Sequence, residues 1–366
     1  EDAASWSVPP WKPRGGGYVL PANREAQQQA VARAKAAGLP PEKVATQAKG
    51  AATECAEVPD NAYGDGMIAD EAARRLDAAR ANPAQPWFLA VGFLKPHLPF
   101  TAPKKYWDLY RPDAFPLAAL RTLPTGAPAF AGHTYGELRS YSDIPSVEPL
   151  NDAQARHLIH GYHAATSFMD AQLGCVLDAL DRNGFAKNTV IVLWGDHGWH
   201  LGDHGLWCKH TNYEHAARIP LIVAAPGVTR PATRTRALAE TVDLYPTLCE
   251  LAALAPPAGL DGTSLGGVLR DPASTGKPCA YHVYPRNALM GRALRTSRYR
   301  LVEWKKIGAP AATATVELYD YESDPEEARN HAADQPDTVA RLRALLAGYP
   351  EAKPQVKSHG TRKDPR

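Results

Sequence analysis

Residues 189–194 read TVIVLW, an unbroken run of β-branched and apolar side chains, and residues 195–210 continue as GDHGWHLGDHGLWCKH. Such a run indicates a strand buried on both faces, as in a parallel sheet. Asp196 and His197 follow it directly, at the end of the strand where open α/β sheets hold their ligands. A carboxylate beside an imidazole there can bind a divalent cation and orient an anion. The alternative is a polar loop whose histidines are only hydrogen-bonded, although five of the 13 histidines fall between residues 196 and 215.

The chain around this run alternates between helix-like and strand-like patterns. Residues 151–182 repeat apolar side chains every three or four positions, and Asn183-Gly184 ends this long amphipathic helix. Further elements are expected as strands at 87–94 and 220–225 and as a helix at 242–254. The alternation predicts an α/β fold with a mostly parallel sheet sandwiched by helices.

The pattern changes after Pro256-Pro257, where prolines end the alternation. Short strands are expected near 281–284, 299–302 and 317–320, followed by a helix near 338–346 and a charged tail. We therefore expect two domains: an α/β domain over residues 1–274, and a small α+β domain with antiparallel strands over 275–366. Residues 112–149 are rich in proline and glycine and are predicted to form a long loop.

Composition excludes several classes of protein. Lys and Arg number 41 against 39 Asp and Glu, and the resulting net charge of +2 gives no basic surface for nucleic acid or an anionic membrane. No run approaches the ~18 apolar residues of a membrane helix. The five cysteines show no CxxC spacing, which argues against a zinc knuckle or a dense disulfide framework.

A second polar cluster follows the run at 87–94, where residues 93–100 read FLKPHLPF. Prolines on either side restrict the backbone around His97 and thereby fix where its imidazole points. Lys95 and His97 could donate charge-assisted hydrogen bonds to a sulfate or phosphate oxygen. A structural histidine is the alternative for this motif taken alone.

These motifs, taken in order, resemble the type I sulfatases of the alkaline-phosphatase-like superfamily, and especially the iduronate-2-sulfatase group. The resemblance covers most of the chain and is weakest across 14–65 and 112–150. It rests on FLAVG at 88–92, KPHLPF at 95–100, DHGW at 196–199, LGDHG at 201–205, Lys209, DLYPTL at 243–248, YPR at 284–286, ELYD at 317–320 and SDP at 323–325.

The resemblance implies roles for the residues that match. Asp196 and His197 are similar to two ligands of the family's calcium ion, and Lys209 to the lysine that binds a sulfate oxygen and stabilises the leaving group. His97 is similar to the histidine that contacts the sulfate. Further matching positions are substrate-binding candidates: Trp199, as part of the sugar pocket, and Lys95 and His204, which either contact substrate or orient the loop.

One part of the family pattern is missing from this sequence. Sulfatases convert a Cys or Ser in a C/S-x-P-x-R motif to formylglycine, whose hydrate attacks sulfur. None of the five cysteines has this setting; Cys55 precedes Ala-Glu-Val and Cys208 precedes Lys-His-Thr. We expect a missing N-terminal segment, in the same or a separate chain, to supply the motif, and we expect this chain alone to be inactive.

The resemblance favours hydrolysis of a sulfate ester, with 2-O-sulfate on a uronic acid of a sulfated polysaccharide as substrate. Family habit implies a periplasmic or secreted protein. A phosphomonoesterase or phosphodiesterase of the same superfamily is an alternative, because sulfate and phosphate are both tetrahedral oxyanions. A non-catalytic protein that binds sulfated glycans is another. A serine hydrolase built on Gly262-Thr263-Ser264-Leu265-Gly266 is disfavoured, since no strand precedes that motif.

Overall fold

The computed structural model describes residues 3–15, 17–133 and 136–354. Its residues group into two compact units, one formed by 1–117 with 135–188 and the other by 118–134 with 189–366. The boundary expected at 274/275 falls inside the second unit, and a separate C-terminal domain stays a prediction. From residue 355 on, the tail lies outside the described residues.

The helices and strands are bounded as follows. The helices are α1 Pro21–Ala36, α2 Pro41–Gln47, α3 Gly64–Ala79, α4 Lys104–Trp107, α5 Asp152–Arg182, α6 Glu214–Ala217, α7 Leu244–Leu251, α8 Gly266–Arg270 and α9 Pro336–Leu346. The strands are β1 Thr53–Ala56, β2 Phe100–Pro103, β3 Ile191–Trp194, β4 His200–Leu201, β5 Trp207–Cys208, β6 Leu221–Ala224, β7 Ala280–Arg286, β8 Leu289–Arg295, β9 Tyr299–Lys305 and β10 Thr315–Asp320.

The first unit is built around the long helix α5. Asn151 caps this helix: its side chain accepts from the N–H of Gln154, whose own side chain accepts from the N–H of Asn151. Strands β1 and β2 pair in parallel, and α5 contacts both of them and α3. Phe168 of α5 is fully buried in the core of this unit. The predicted helix at 151–182 is confirmed.

The predicted strand at 87–94 is wrong. Among the described residues, this segment forms no strand and pairs with neither β1 nor β2, which form a two-stranded sheet of their own. Its side chains alternate between half-buried and exposed, and Phe88 is 70% exposed. An apolar run alone does not distinguish a strand covered on both faces from a segment covered on one.

In the second unit, the strand expected at 189–194 is confirmed as β3, and that at 220–225 as β6. They pair with each other in antiparallel register, from Ile191 opposite Ala224 to Trp194 opposite Leu221. The prediction of burial on both faces is wrong for these strands, since Trp194 and Ile222 are exposed.

The C-terminal part of the second unit is a four-stranded antiparallel sheet in the order β10-β9-β8-β7. Three of these strands were predicted; β8 was not, because Gly291, Arg292 and Arg295 interrupt its apolar pattern. Helix α9 packs beside β9, with Leu342 and Leu346 fully buried. The described residues thus form a mixed α/β fold with a C-terminal antiparallel sheet, which confirms the predicted fold class.

A buried ion network ties this sheet to the preceding chain. Arg300 is 2% exposed; its Nε lies 3.0 Å from Oε1 of Glu327, and its guanidinium also contacts Glu214 on α6. Burial raises the pKa of Glu214, but Arg300 and Arg295 outweigh that effect and hold it below the ordinary value. Tyr213, buried beside Tyr319, extends the same junction.

Residues 275–366 expressed alone are therefore expected to be poorly folded. Without Glu214 and Tyr213, the buried Arg300 keeps only Glu327 as a carboxylate partner and part of the sheet's apolar face loses its cover; breaking a buried ion pair costs about 3–5 kcal/mol. The measurement is urea unfolding followed by circular dichroism, with the intact chain as control. A single cooperative transition for the isolated segment would show that it is an independent domain.

Candidate functional site

The loop after β3 is held in a tight fold by close backbone contacts. Gly198 donates its N–H to the carbonyl of Ala216, and a Cβ at this position would lie 2.0 Å from the carbonyl oxygen of His215. Only glycine therefore fits after Asp196-His197. The loop then forms the two-residue strands β4 and β5, which pair through His200–Cys208 and Leu201–Trp207.

Asp196 and His197 present two potential metal ligands side by side. Nδ1 of His197 lies 2.8 Å from the carbonyl oxygen of Gly198, which can only accept, so Nδ1 is the donor. In the neutral ring the lone pair is then on Nε2, which lies 3.7 Å from Oδ2 of Asp196. The side chain of Asp196 is 86% exposed. This pair fits part of a divalent cation site and leaves room for additional oxygen ligands.

Lys209 and Trp199 lie next to this pair. The ammonium nitrogen of Lys209 is 5.1 Å from the centroid of the Trp199 ring, which is the geometry of a cation–π contact. The Trp199 ring in turn lies 5.8 Å from the ring of His197. Trp199 therefore connects the predicted metal ligand to the predicted sulfate-binding lysine. The structure brings these predicted residues together within one unit.

His204 is only 3% exposed. Its Nε2 lies 2.9 Å from the backbone carbonyl oxygen of Glu326, and its own backbone is left-handed, with a φ of 53°. Asp203 hydrogen-bonds the ring of the fully buried His200. Burial raises the pKa of Asp203, but His200 and neighbouring groups outweigh it and hold that pKa below the ordinary value. This setting favours the loop-orienting role that the sequence left open for His204.

In the other unit, Lys95 holds the loop that carries His97. Its ammonium donates to the backbone carbonyls of His97, at 3.0 Å, and Pro99, at 2.7 Å. Burial lowers the pKa of Lys95 to about 8, against the opposing effect of Asp65. The carboxylate of Asp65 also accepts from the backbone N–H groups of Leu94 and Lys95, each at 2.9 Å. Lys95 therefore acts on the shape of the loop.

Both ring nitrogens of His97 face hydrogen-bond acceptors. Nδ1 lies 2.8 Å from the carbonyl oxygen of Leu98, and Nε2 lies 3.0 Å from Oε1 of Glu137. The ring donates to at least one of these acceptors, and both of them fix its orientation. Sequence reasoning missed Glu137, which lies in the predicted loop at 112–149 with no recognisable motif around it.

The matching family models and the curated relatives are sulfatases. A family model described as sulfatase matches residues 22–254, and one described as N-sulphoglucosamine sulphohydrolase, C-terminal, matches residues 202–347. Iduronate 2-sulfatase from Mus musculus is 30% identical over 349 residues, covering 76% of this chain and 63% of the relative. A sulfatase from Formosa agariphila is 34% identical over 279 residues, covering 74% and 51%. The chain thus spans less than two thirds of these relatives.

Among solved structures, a phosphonate monoester hydrolase from Silicibacter pomeroyi is similar to this chain, with a TM-score of 0.67 and 25% identity. The match covers 80% of this chain and 60% of the hydrolase. No helix within the described residues is long and apolar enough to cross a membrane.

Proposed function

The chain belongs to the sulfatase family, and on that premise we propose that it carries the metal-binding and sulfate-binding half of a sulfuric ester hydrolase. The observation that supports this most directly is the cluster of His197, Trp199 and Lys209 beside Asp196. It combines cation ligands with a fixed ammonium group, which are the two elements needed to bind and polarise a sulfate ester.

Within this proposal, Lys209 binds a sulfate oxygen and stabilises the charge that develops on the leaving oxygen. The Trp199 ring limits the freedom of the lysine side chain, so little reorganisation is needed during the reaction. The resemblance assigns His97, which lies in the other unit, to contact with the sulfate; its Nε2 would then exchange Glu137 for a sulfate oxygen. Trp199 additionally borders the sugar.

Asp196 and His197 would hold a calcium ion. The carboxylate is the hard oxygen ligand that calcium prefers, and the backbone N–H of His197 donates to Oδ1 of Asp196 at 3.1 Å, which fixes the direction of the carboxylate. When bound, the ion supplies positive charge that draws in the sulfate group. Further ligands come from outside this pair.

No residue of this sequence stands in the motif that provides the family's nucleophile. No Cys or Ser in the sequence begins a C/S-x-P-x-R motif. We therefore propose that a preceding segment supplies the formylglycine. We call this chain, when joined at Glu1 to a segment that carries the modified motif, the completed protein. By analogy with the family, we propose that such a protein acts in the periplasm or outside the cell.

The proposed substrate is a 2-O-sulfated uronic acid within a sulfated saccharide, by analogy with the iduronate 2-sulfatase that this chain resembles. The test is sulfate release by the completed protein from a disaccharide sulfated at the uronate 2-O position, compared with its isomer sulfated at the glucosamine 6-O position. We expect kcat/KM to favour the former by about 10-fold or more. Equal rates would contradict the assignment of the position.

Replacing Lys95 with methionine should lower kcat/KM of the completed protein by about 10²-fold, because His97 loses its support and a misplacement of ~1 Å is that costly. Methionine keeps the apolar stem but leaves the carbonyls of His97 and Pro99 without their donor. Steady-state kinetics would measure the effect. Lys104→Met is the matched control, since Lys104 is exposed and, among the residues that the structure describes, forms its ion pair with the exposed Asp108. A Lys95→Met protein with control-like kinetics would show that the loop does not need this lysine.

A phosphonate or phosphate ester hydrolase is the second candidate. The similarity to the Silicibacter pomeroyi enzyme favours it, since its substrate group is also a tetrahedral oxyanion. A protein that only binds sulfated glycans is the third, and retention of Asp196, His197, Lys209 and His97 together argues against it.

A further inference from the structure

A second cluster of potential metal ligands lies in the hairpin that carries Lys209. His200, Asp203 and His204 each offer one ligand atom, and these atoms all lie within 4.8 Å of one another. His200 is fully buried at the start of β4, and His204 is almost fully buried in the turn between β4 and β5. None of these residues belongs to the pair formed by Asp196 and His197.

The orientation of His204 directs a buried nitrogen toward Asp203. Its Nε2 faces the carbonyl oxygen of Glu326, which can only accept, so this nitrogen carries the hydrogen. Nδ1 then bears the lone pair; it is buried, has no hydrogen-bond partner, and lies 3.9 Å from Oδ2 of Asp203. A buried lone pair directed at a carboxylate is unfavourable unless a proton or a metal ion lies between them.

The surrounding groups hold the ligands as outer contacts do in metal sites. Nε2 of His200 lies 2.8 Å from the hydroxyl of Thr211, while its Nδ1 faces Asp203. Oδ1 of Asp203 accepts from the N–H of Leu201 at 3.0 Å. Histidines that bind metals typically bond their other nitrogen to a carbonyl, carboxylate or water in this way, which fixes the tautomer and the ring.

His215 adds a fourth ligand, a third imidazole nitrogen. Its Nδ1 lies 3.5 Å from Oδ1 of Asp203, and its ring is parallel to that of His200, with 6.0 Å between centroids. The side chain is 53% exposed, so it gives an ion a route from solvent. The distances from Asp203 to His204, 3.9 Å, and to His215, 3.5 Å, are near the ~3.3 Å between ligand atoms of a tetrahedral zinc site, and rotation of the exposed His215 side chain would bring its nitrogen closer to the other ligands.

We propose that His200, Asp203, His204 and His215 bind one Zn²⁺ ion. Three imidazole nitrogens and one carboxylate oxygen form a donor set typical of zinc, whereas a calcium site is built mostly from oxygen ligands. On binding, zinc displaces the hydrogen shared by His200 and Asp203, which leaves as a proton. The ion links β4 and the following turn to α6, and so fixes the hairpin that carries Lys209.

The test uses the full 366-residue chain, stripped with a chelator and titrated with ZnCl₂ by calorimetry, with zinc content measured separately. We expect one Zn²⁺ per chain, a raised thermal midpoint, and no competition from excess Ca²⁺. His215→Gln should weaken zinc binding by at least about 10–100-fold, the loss caused even by removal of an outer contact. His331→Gln, which changes a partly exposed histidine beside Asp324 and Asp334, is the control and should leave binding unchanged.

His204→Gln should lower the zinc affinity more than His215→Gln does. Because His204 is buried, however, its replacement can also unfold the hairpin. His215 is half exposed, so its variant decides the question in a folded protein. Absence of stoichiometric zinc binding, or binding that His215→Gln leaves at the affinity of the intact chain, would overturn the proposal. None of these readouts depends on sulfatase activity, so the zinc site and the proposed reaction are tested separately.

Discussion

Lys209→Ala is expected to lower kcat of the completed protein by about 10²–10³-fold, the usual cost of removing one preorganised transition-state donor. Negative charge grows on the leaving oxygen as the S–O bond breaks, so a fixed ammonium stabilises the transition state more than the ground state. The position of Lys209 over the Trp199 ring supports such a role, because the ring restricts where the ammonium can go. Steady-state kinetics on a sulfate ester measures the change.

Two further variants test the chemistry of this position. Lys209→Arg should restore only part of the activity, since a planar guanidinium cannot replace a compact ammonium. Lys306→Ala, which removes an exposed lysine from the β9–β10 connection, is the control. Calcium binding and folding should be unchanged in all three proteins. An unaltered kcat in Lys209→Ala would identify Lys209 as an ordinary loop lysine.

Asp196→Ala is expected to abolish calcium binding by the completed protein, and with it the reaction. The change removes a direct ligand, so affinity should fall by more than the roughly 10–100-fold caused by losing an outer contact. The side chain of Asp196 is 86% exposed and is not part of the core, so the fold should survive the substitution. Calorimetric titration with CaCl₂ measures the affinity directly.

The matched control is Asp170→Ala, which removes an exposed carboxylate from α5. It should bind calcium like the parent protein. Calcium-dependent thermal stabilisation that persists in Asp196→Ala would place the ion elsewhere, and the roles of Asp196 and His197 would have to be reassigned.

The sequence predicts the elements that follow from local patterns. The period of α5, its capping residues and the apolar runs of β3 and β6 are all visible in single segments, and the structure confirms them. Burial of the runs at 87–94 and 189–194 could not be predicted, because it depends on which elements cover them. Strand β8 was missed because its packing overrides the polar and glycine residues in its pattern.

The candidate site shows the same division. Asp196, His197 and Lys209 are recognisable because they lie in one short motif, and the structure brings His197 and Lys209 both close to the Trp199 ring. Glu137 and Asp65 were missed, because each reaches its partner from a distant part of the chain. The histidine cluster at 196–215 was noticed, but its division into the two sites proposed above requires the backbone geometry of the turn around His204.

If this chain supplies the sulfate-binding half of a sulfatase, the completed protein should release inorganic sulfate from a 2-O-sulfated uronate disaccharide. The assay compares the completed protein with the 366-residue chain alone, and offers a phosphonate monoester in parallel. We expect calcium-dependent sulfate release by the completed protein and none by the chain alone. Hydrolysis of the phosphonate without release of sulfate would contradict it.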